Sequence, residues 1–232
     1  MPKIGVLLIN LGTPDDPSVK AVGKYLKEFL MDFRVIDKPA WLRHILVKGL
    51  IVPFRSRASA KLYKQLWTKE GSPLKFYGER LAEGVQKELG NEYIVELAMR
   101  YQNPSIASVL GKLMSNQIRE LIVIPLFPHY ASASTGSVYE EVMRLLSKKQ
   151  AIPSLKIVNS FHDYEPMIDV FVKNSKKYDL VILDAFGSSS IPFHLVTTES
   201  FELIASHLKS DGVLAINVES VGWKSKIVIS LA

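Results

Sequence analysis

The sequence predicts an α/β fold built on a doubly wound, mainly parallel sheet. Three observations point there. Short apolar runs rich in Val, Ile and Leu recur along the chain. Amphipathic stretches of helical length separate them. The composition, 47% hydrophobic and 22% charged over 232 residues, is that of a globular chain long enough to bury a core. Short continuous apolar runs fit strands buried on both faces, and the strand–helix rhythm calls for parallel crossovers.

The elements follow in order. Gly5–Asn10 comes directly after Met1-Pro2-Lys3, lacks a signal-peptide layout and reads as a first strand. Ser18–Met31 reads as a helix. Residues 32–75 interrupt the rhythm with Pro39, Pro53 and Pro73 and two helical pieces, Trp41–Ile51 and Ala58–Trp67. Long excursions of this kind often form lids or binding walls. Tyr77–Leu89 is a helix that Gly90 stops. The strand Tyr93–Met99, the helix Ser105–Ser115, the strand Glu120–Leu126 and the helix Val138–Lys148 come next. Three strands remain, Leu155–Asn159, Leu180–Asp184 and Gly212–Val218, with the helix Glu199–Lys209 before the last. Ligands gather at the carboxyl ends of parallel strands, so the functional loops are expected after Asn10, Met99, Leu126 and Asp184.

Composition excludes several classes. The chain has no cysteine, which rules out disulfides, iron–sulfur clusters and thiolate metal sites within it. No run of about 18 apolar residues suggests a membrane span, and a cytoplasmic setting is expected. The net charge is +6, and residues 1–168 hold 23 of the 29 Lys and Arg against 16 of the 23 Asp and Glu. That basic part suits an anionic ligand or an acidic membrane surface, or is simply a solvated basic face. The basic residues form no dense run and no nucleic-acid-binding motif is visible, so nucleic acid is not an expected partner.

Chemistry-bearing motifs cluster at the predicted strand ends. The first strand runs into Leu11-Gly12-Thr13-Pro14. Arg55, Tyr63 and Glu70-Gly71-Ser72-Pro73-Leu74 follow. The second strand ends in Met99-Arg100-Tyr101, and the third runs through Pro125-Leu126-Phe127-Pro128-His129-Tyr130 to Thr135-Gly136-Ser137. Together, in this order, they resemble the N-terminal half of the ferrochelatase family over roughly residues 1–168. The resemblance implies a chelatase-like three-layer αβα fold and the insertion of ferrous iron into a porphyrin in haem biosynthesis, with Fe²⁺ as substrate and no covalently bound cofactor. It places Leu11, Arg55, Tyr63, Ser72, Arg100 and Tyr130 against the porphyrin. A flat apolar disc with carboxylates calls for such a mixture of apolar wall, Arg and hydroxyl. Taken singly, Leu11 also suits a core position, Arg55 and Arg100 a charged surface, and Tyr63 the apolar face of a helix. His129 is a candidate metal ligand, because neutral imidazole binds Fe²⁺ well.

The family's chelating His lies in a later Ser-(Ala or Phe)-His-(Ser or Gly)-Leu-Pro motif with an acidic partner beyond it. Asn159-Ser160-Phe161-His162 approaches this pattern, but Asp163-Tyr164 follows where Leu-Pro should stand, so His162 reads as coincidence. Porphyrin binding with impaired insertion is the expectation. From about residue 169 the character changes. Tyr178-Asp179-Leu180-Val181-Ile182-Leu183-Asp184 and Gly212-Val213-Leu214-Ala215-Ile216-Asn217-Val218 resemble the back half of a spermidine synthase-like, methyltransferase-fold domain. Asp184 matches its amine-facing acid, yet no Gly-x-Gly loop occurs anywhere in the chain. The expected organisation is therefore a ferrochelatase-like domain over 1–168 joined, as in a chimera, to a fragment over 169–232. The strands of the two could share one composite sheet. An inactive scaffold and a transferase-like activity are the alternatives.

Overall fold

The computed structural model describes residues 2–174, 178–183 and 197–216. The chain divides into two compact units, Met1–His162 and Asp163–Ala232, so the division falls just after the fourth strand.

The first unit holds a four-stranded sheet in the order β2-β1-β3-β4, with every pairing parallel. Its strands are β1 (Ile4–Gly12), β2 (Tyr93–Tyr101), β3 (Glu120–Pro125) and β4 (Ser154–Ile157). β1 runs through the middle, which is why it reads as an unbroken apolar run. Alternate residues serve opposite faces. Val6 and Leu8 pack with Val95, Leu97 and Met99 beneath Ala82 and Val85 of α4 (Pro73–Leu89). Leu7 and Ile9 pack on the other face with Val109 and Leu113 of α5 (Ile106–Ser115) and with Val138 and Val142 of α6 (Ser137–Leu146). The result is the doubly wound three-layer arrangement that the sequence predicts.

Local chemistry sets the helix limits. α1 (Val19–Met31) starts at Ser18, whose Oγ accepts the Ala21 N–H at 3.2 Å, and Ser105 caps α5 in the same way through the Ser108 N–H. Gly90 ends α4 at φ 74°.

The excursion departs from expectation. In place of two separate pieces it forms one continuous helical run: α2 (Ala40–His44), a π-helical segment over Ile45–Ile51, and α3 (Val52–Leu66). Pro53 therefore lies inside a helix. It has no N–H to donate and its ring crowds the carbonyl four residues back. The π-helical turns ahead of it, where the Val52 N–H reaches back to Val47 O, widen the helix at that point.

The second unit contains α7 (Glu165–Asn174), β5 (Tyr178–Leu183), α8 (Thr198–His207) and β6 (Leu208–Ile216). The sequence reading did not anticipate α7. β5 and β6 pair in parallel in a two-stranded sheet of their own. The expectation of one composite sheet is thus corrected: β5 finds its partner through the local crossover that contains α8.

Candidate functional site

The carboxyl end of β1 builds a small apolar cavity. Gly12 sits at φ 118°, and a Cβ there would lie 2.1 Å from Tyr101 O. Only glycine lets the ends of β1 and β2 stay this close. The chain then turns through Thr13, whose Oγ1 lies 2.8 Å from Ser72 Oγ, with both side chains buried. The cavity beside this pair measures about 200 Å³, and Gly12, Thr13, Tyr63, Leu66, Trp67 and Ser72 line it. Three elements meet there: the end of β1, the end of α3 and the start of α4. Burial pushes the Tyr63 phenol above its usual range, so its hydroxyl remains a neutral hydrogen-bonding group at physiological pH.

Of the residues singled out in the sequence, Tyr63 and Ser72 share this cavity. Leu11 is half-buried one residue before Gly12, and its backbone N–H donates to Asn10 Oδ1 at 2.8 Å. Arg55 is exposed on α3, eight residues before Tyr63 or about 12 Å along the axis. It has no salt bridge among the described residues.

Arg100 belongs to a buried polar network. Its Nη2 donates to Asp32 Oδ2 at 2.9 Å and its Nε to Ser137 Oγ at 2.7 Å. Asp32 Oδ2 also accepts from Tyr101 OH at 2.8 Å and from Ser137 Oγ at 2.5 Å, while Asp32 Oδ1 accepts the Arg34 N–H at 2.8 Å. Burial alone would raise the Asp32 carboxyl. The hydrogen bonds from Ser137, the Arg34 N–H and Tyr101, with the charge of Arg100, outweigh burial and hold it below the usual carboxylate range. An aromatic row joins this network to the cavity: Tyr63 meets Tyr25 edge-on, Tyr25 stacks on Phe29, and Phe29 meets Tyr101 edge-on.

The loop after β3 carries the remaining candidates. Tyr130 is exposed and meets the ring of Tyr139 edge-on at 6.4 Å. His129 stacks on His162, with ring centroids 4.6 Å apart, so the residue read as coincidence lies beside the candidate ligand. Among the described residues, no group of three or more His, Cys, Asp or Glu is placed to hold a metal ion. Asp184 lies outside the described residues.

Sequence reasoning missed Asp32 and Thr13. Thr13 was visible within the Leu-Gly-Thr-Pro motif. Asp32 follows an ordinary amphipathic helix, and no local signal distinguishes it from a surface carboxylate.

The comparisons bear on the same stretch. A family model described as ferrochelatase matches residues 3–189, which runs past the expected limit at 168 and includes the cavity and the Asp32 network. A ferrochelatase of Coxiella burnetii (strain RSA 493 / Nine Mile phase I) is 49% identical over 167 residues, covering 72% of this chain and 46% of the relative. A ferrochelatase of Legionella pneumophila (strain Paris) is 45% identical over 174 residues, covering 75% and 52%. One of Idiomarina loihiensis is 38% identical over 180 residues, covering 76% and 50%. The chain spans about half the length of the curated relatives it matches.

Proposed function

The chain belongs to the ferrochelatase family, and on that premise we propose that its first unit forms one wall of a porphyrin site serving iron insertion in haem biosynthesis. The observation that carries this reading is the corner at the end of β1, where Tyr63 and the Thr13–Ser72 pair face a largely apolar cavity. At about 200 Å³ the cavity is smaller than the roughly 300–1,000 Å³ of a complete small-molecule pocket. It takes an edge of the disc rather than the whole. The exposed Arg55 guanidinium offers a bidentate partner for a propionate. Arg100, already held by Asp32 and Ser137, shapes the site from behind.

Metallation exchanges two pyrrole N–H protons for one Fe²⁺, and those protons need a base beside the metal. His129 is the residue we assign to handling the metal on this wall. The family's Leu-Pro-flanked chelating His does not occur in this sequence. We therefore expect the chain alone to bind porphyrin and to insert iron slowly if at all. A porphyrin titration followed by absorbance tests this. Saturable binding that weakens about tenfold in Tyr63→Ala supports it, and no binding to the unsubstituted chain refutes it.

A membrane-surface contact is a second part of the proposal. The helical run over residues 40–66 exposes Trp41, Ile45, Leu50 and Phe54 beside Arg43, Lys48, Arg55 and Arg57. Apolar side chains flanked by basic ones suit the boundary of an anionic bilayer. No helix among the described residues is long and apolar enough to cross a membrane. We place the protein on the cytoplasmic side of such a surface. For residues 169–232, the parallel β5–α8–β6 unit is compatible with the spermidine synthase-like reading. A nucleoside-binding assay on the full chain tests that.

A further inference from the structure

β2 is an edge strand, and its open side is protected at both ends but not in the middle. In a strand, the N–H and C=O of a given residue point to the same side, and neighbouring residues alternate. The Ile4 N–H donates to Glu92 O at 3.0 Å, so even-numbered residues face β1. The odd-numbered residues of β2 face outward. At one end the Gln86 side chain imitates a neighbouring strand: its Oε1 accepts the Val95 N–H at 2.9 Å and its Nε2 donates to Tyr93 O at 3.2 Å. At the other end the Met99 N–H donates to Pro104 O at 2.7 Å. Between these caps lie Val95 C=O and both backbone groups of Leu97. They have no described hydrogen bond, although Val95 and Leu97 are 9% and 6% exposed. The unpaired N–H and C=O groups of a strand edge are a template for a further strand.

A cavity of about 440 Å³ opens at that gap. Glu79, Glu83 and Gln86 of α4 line it together with Lys112 of α5 and the segment Val95–Leu97. α4 and α5 cover opposite faces of the sheet, so a cavity that touches both straddles the strand edge. Its charge is acidic. Glu96 pairs with Lys112 Nζ at 2.6 Å, whereas Glu79 and Glu83 have no ion pair among the described residues.

We propose that this slot docks an extended, basic segment of another polypeptide, which adds to β2 as a further strand. Backbone hydrogen bonds to Val95 and Leu97 would fix it, and its Lys or Arg side chains would meet Glu79 and Glu83. A second copy of this chain fits poorly, because edge-to-edge pairing would set the same carboxylates against one another. The inference is independent of the porphyrin reading.

The test uses the full chain, labelled with ¹⁵N, and the probe peptide acetyl-Lys-Val-Lys-Val-Lys-amide, with a Glu-for-Lys peptide as control. The basic peptide is expected to shift the amide signals of Val95, Glu96 and Leu97 and to slow Leu97 amide exchange at least about tenfold at saturation. The double variant Glu79→Lys, Glu83→Lys, both on an exposed helix face, is expected to weaken binding about tenfold or more. Binding that leaves Leu97 exchange unchanged would overturn the proposal, and so would equal binding of the acidic peptide or no binding of the basic one at millimolar concentration. If the double variant fails to fold, the two peptides on the unsubstituted chain still decide the matter.

Discussion

Replacing Asp32 by Asn keeps its shape and removes its charge. Three donors converge on Oδ2, from Arg100, Tyr101 and Ser137, and the Arg34 N–H meets Oδ1. An Asn amide fits neither way round. With its oxygen toward the three donors, its NH₂ faces the Arg34 N–H, and turned over, it faces the three donors. The Arg100 side chain is 15% exposed and that of Asp32 5%, so solvent compensates little. Removing one partner of a buried ion pair costs about 3–5 kcal/mol. Arg100 retains the carbonyl and hydroxyl of Ser137 and the face of Tyr101, which places the expected loss near 3 kcal/mol.

The pH dependence has a definite sign. The folded Asp32 carboxyl is held below its ordinary value. Its contribution is complete above the unfolded value, near pH 4, and is lost as pH falls through the folded one. The difference between parent and Asp32→Asn in urea unfolding, followed by tryptophan fluorescence, is therefore widest at pH 7 and narrows below about pH 4. A loss under about 1 kcal/mol at pH 7, or a difference that stays constant into acid, would refute the reasoning. In a double-mutant cycle, Arg100→Met added to Asp32→Asn is expected to recover part of the loss, since it removes the orphaned charge.

Other expectations can be checked more simply. Ser72→Ala leaves the Thr13 hydroxyl buried and alone, and should cost about 1–2 kcal/mol in a thermal melt; adding Thr13→Val should cost little more. Gly12→Ala forces a Cβ against Tyr101 O at a φ that suits glycine. A loss of about 3 kcal/mol or more is expected, read as lowered soluble yield and a lowered Tm. Phe54→Glu, at a side chain 74% exposed, should leave the circular dichroism spectrum unchanged and reduce sedimentation with anionic vesicles about tenfold.

Much of the first unit was legible because its inner strands, β1 and β3, are covered on both faces. Such strands read as apolar runs, as Ile4–Ile9 and Leu121–Pro125 do, and Ser18, Ser105 and Gly90 signal their helix ends directly. The excursion was harder. Pro53 suggested a break, and only the π-helical segment ahead of it, which leaves no mark in composition, reconciles it with a continuous helix. The same contrast holds at the site. Tyr63 and Ser72 were named from the family resemblance, and both line the cavity at the end of β1. Arg100 was named as a porphyrin contact, while its hydrogen bonds run to Asp32 and Ser137. Asp32 itself was invisible, since its importance comes from residues 68 to 105 positions away. The meeting of His129 and His162 was hidden for the same reason: separate strands deliver them to one edge.

The π-helical segment over Ile45–Ile51 sets the angular phase of everything on either side of it. An α-helix turns about 100° per residue, and the i→i+5 bonds of the π-helical segment take up one residue more per turn than an α-helix does. The exposed Trp41 and Ile45 therefore stand at angles to the exposed Phe54 that an unbroken α-helix of the same length would not give them. The identity of this surface is thus written partly in the count of residues between its halves, which no single side chain records.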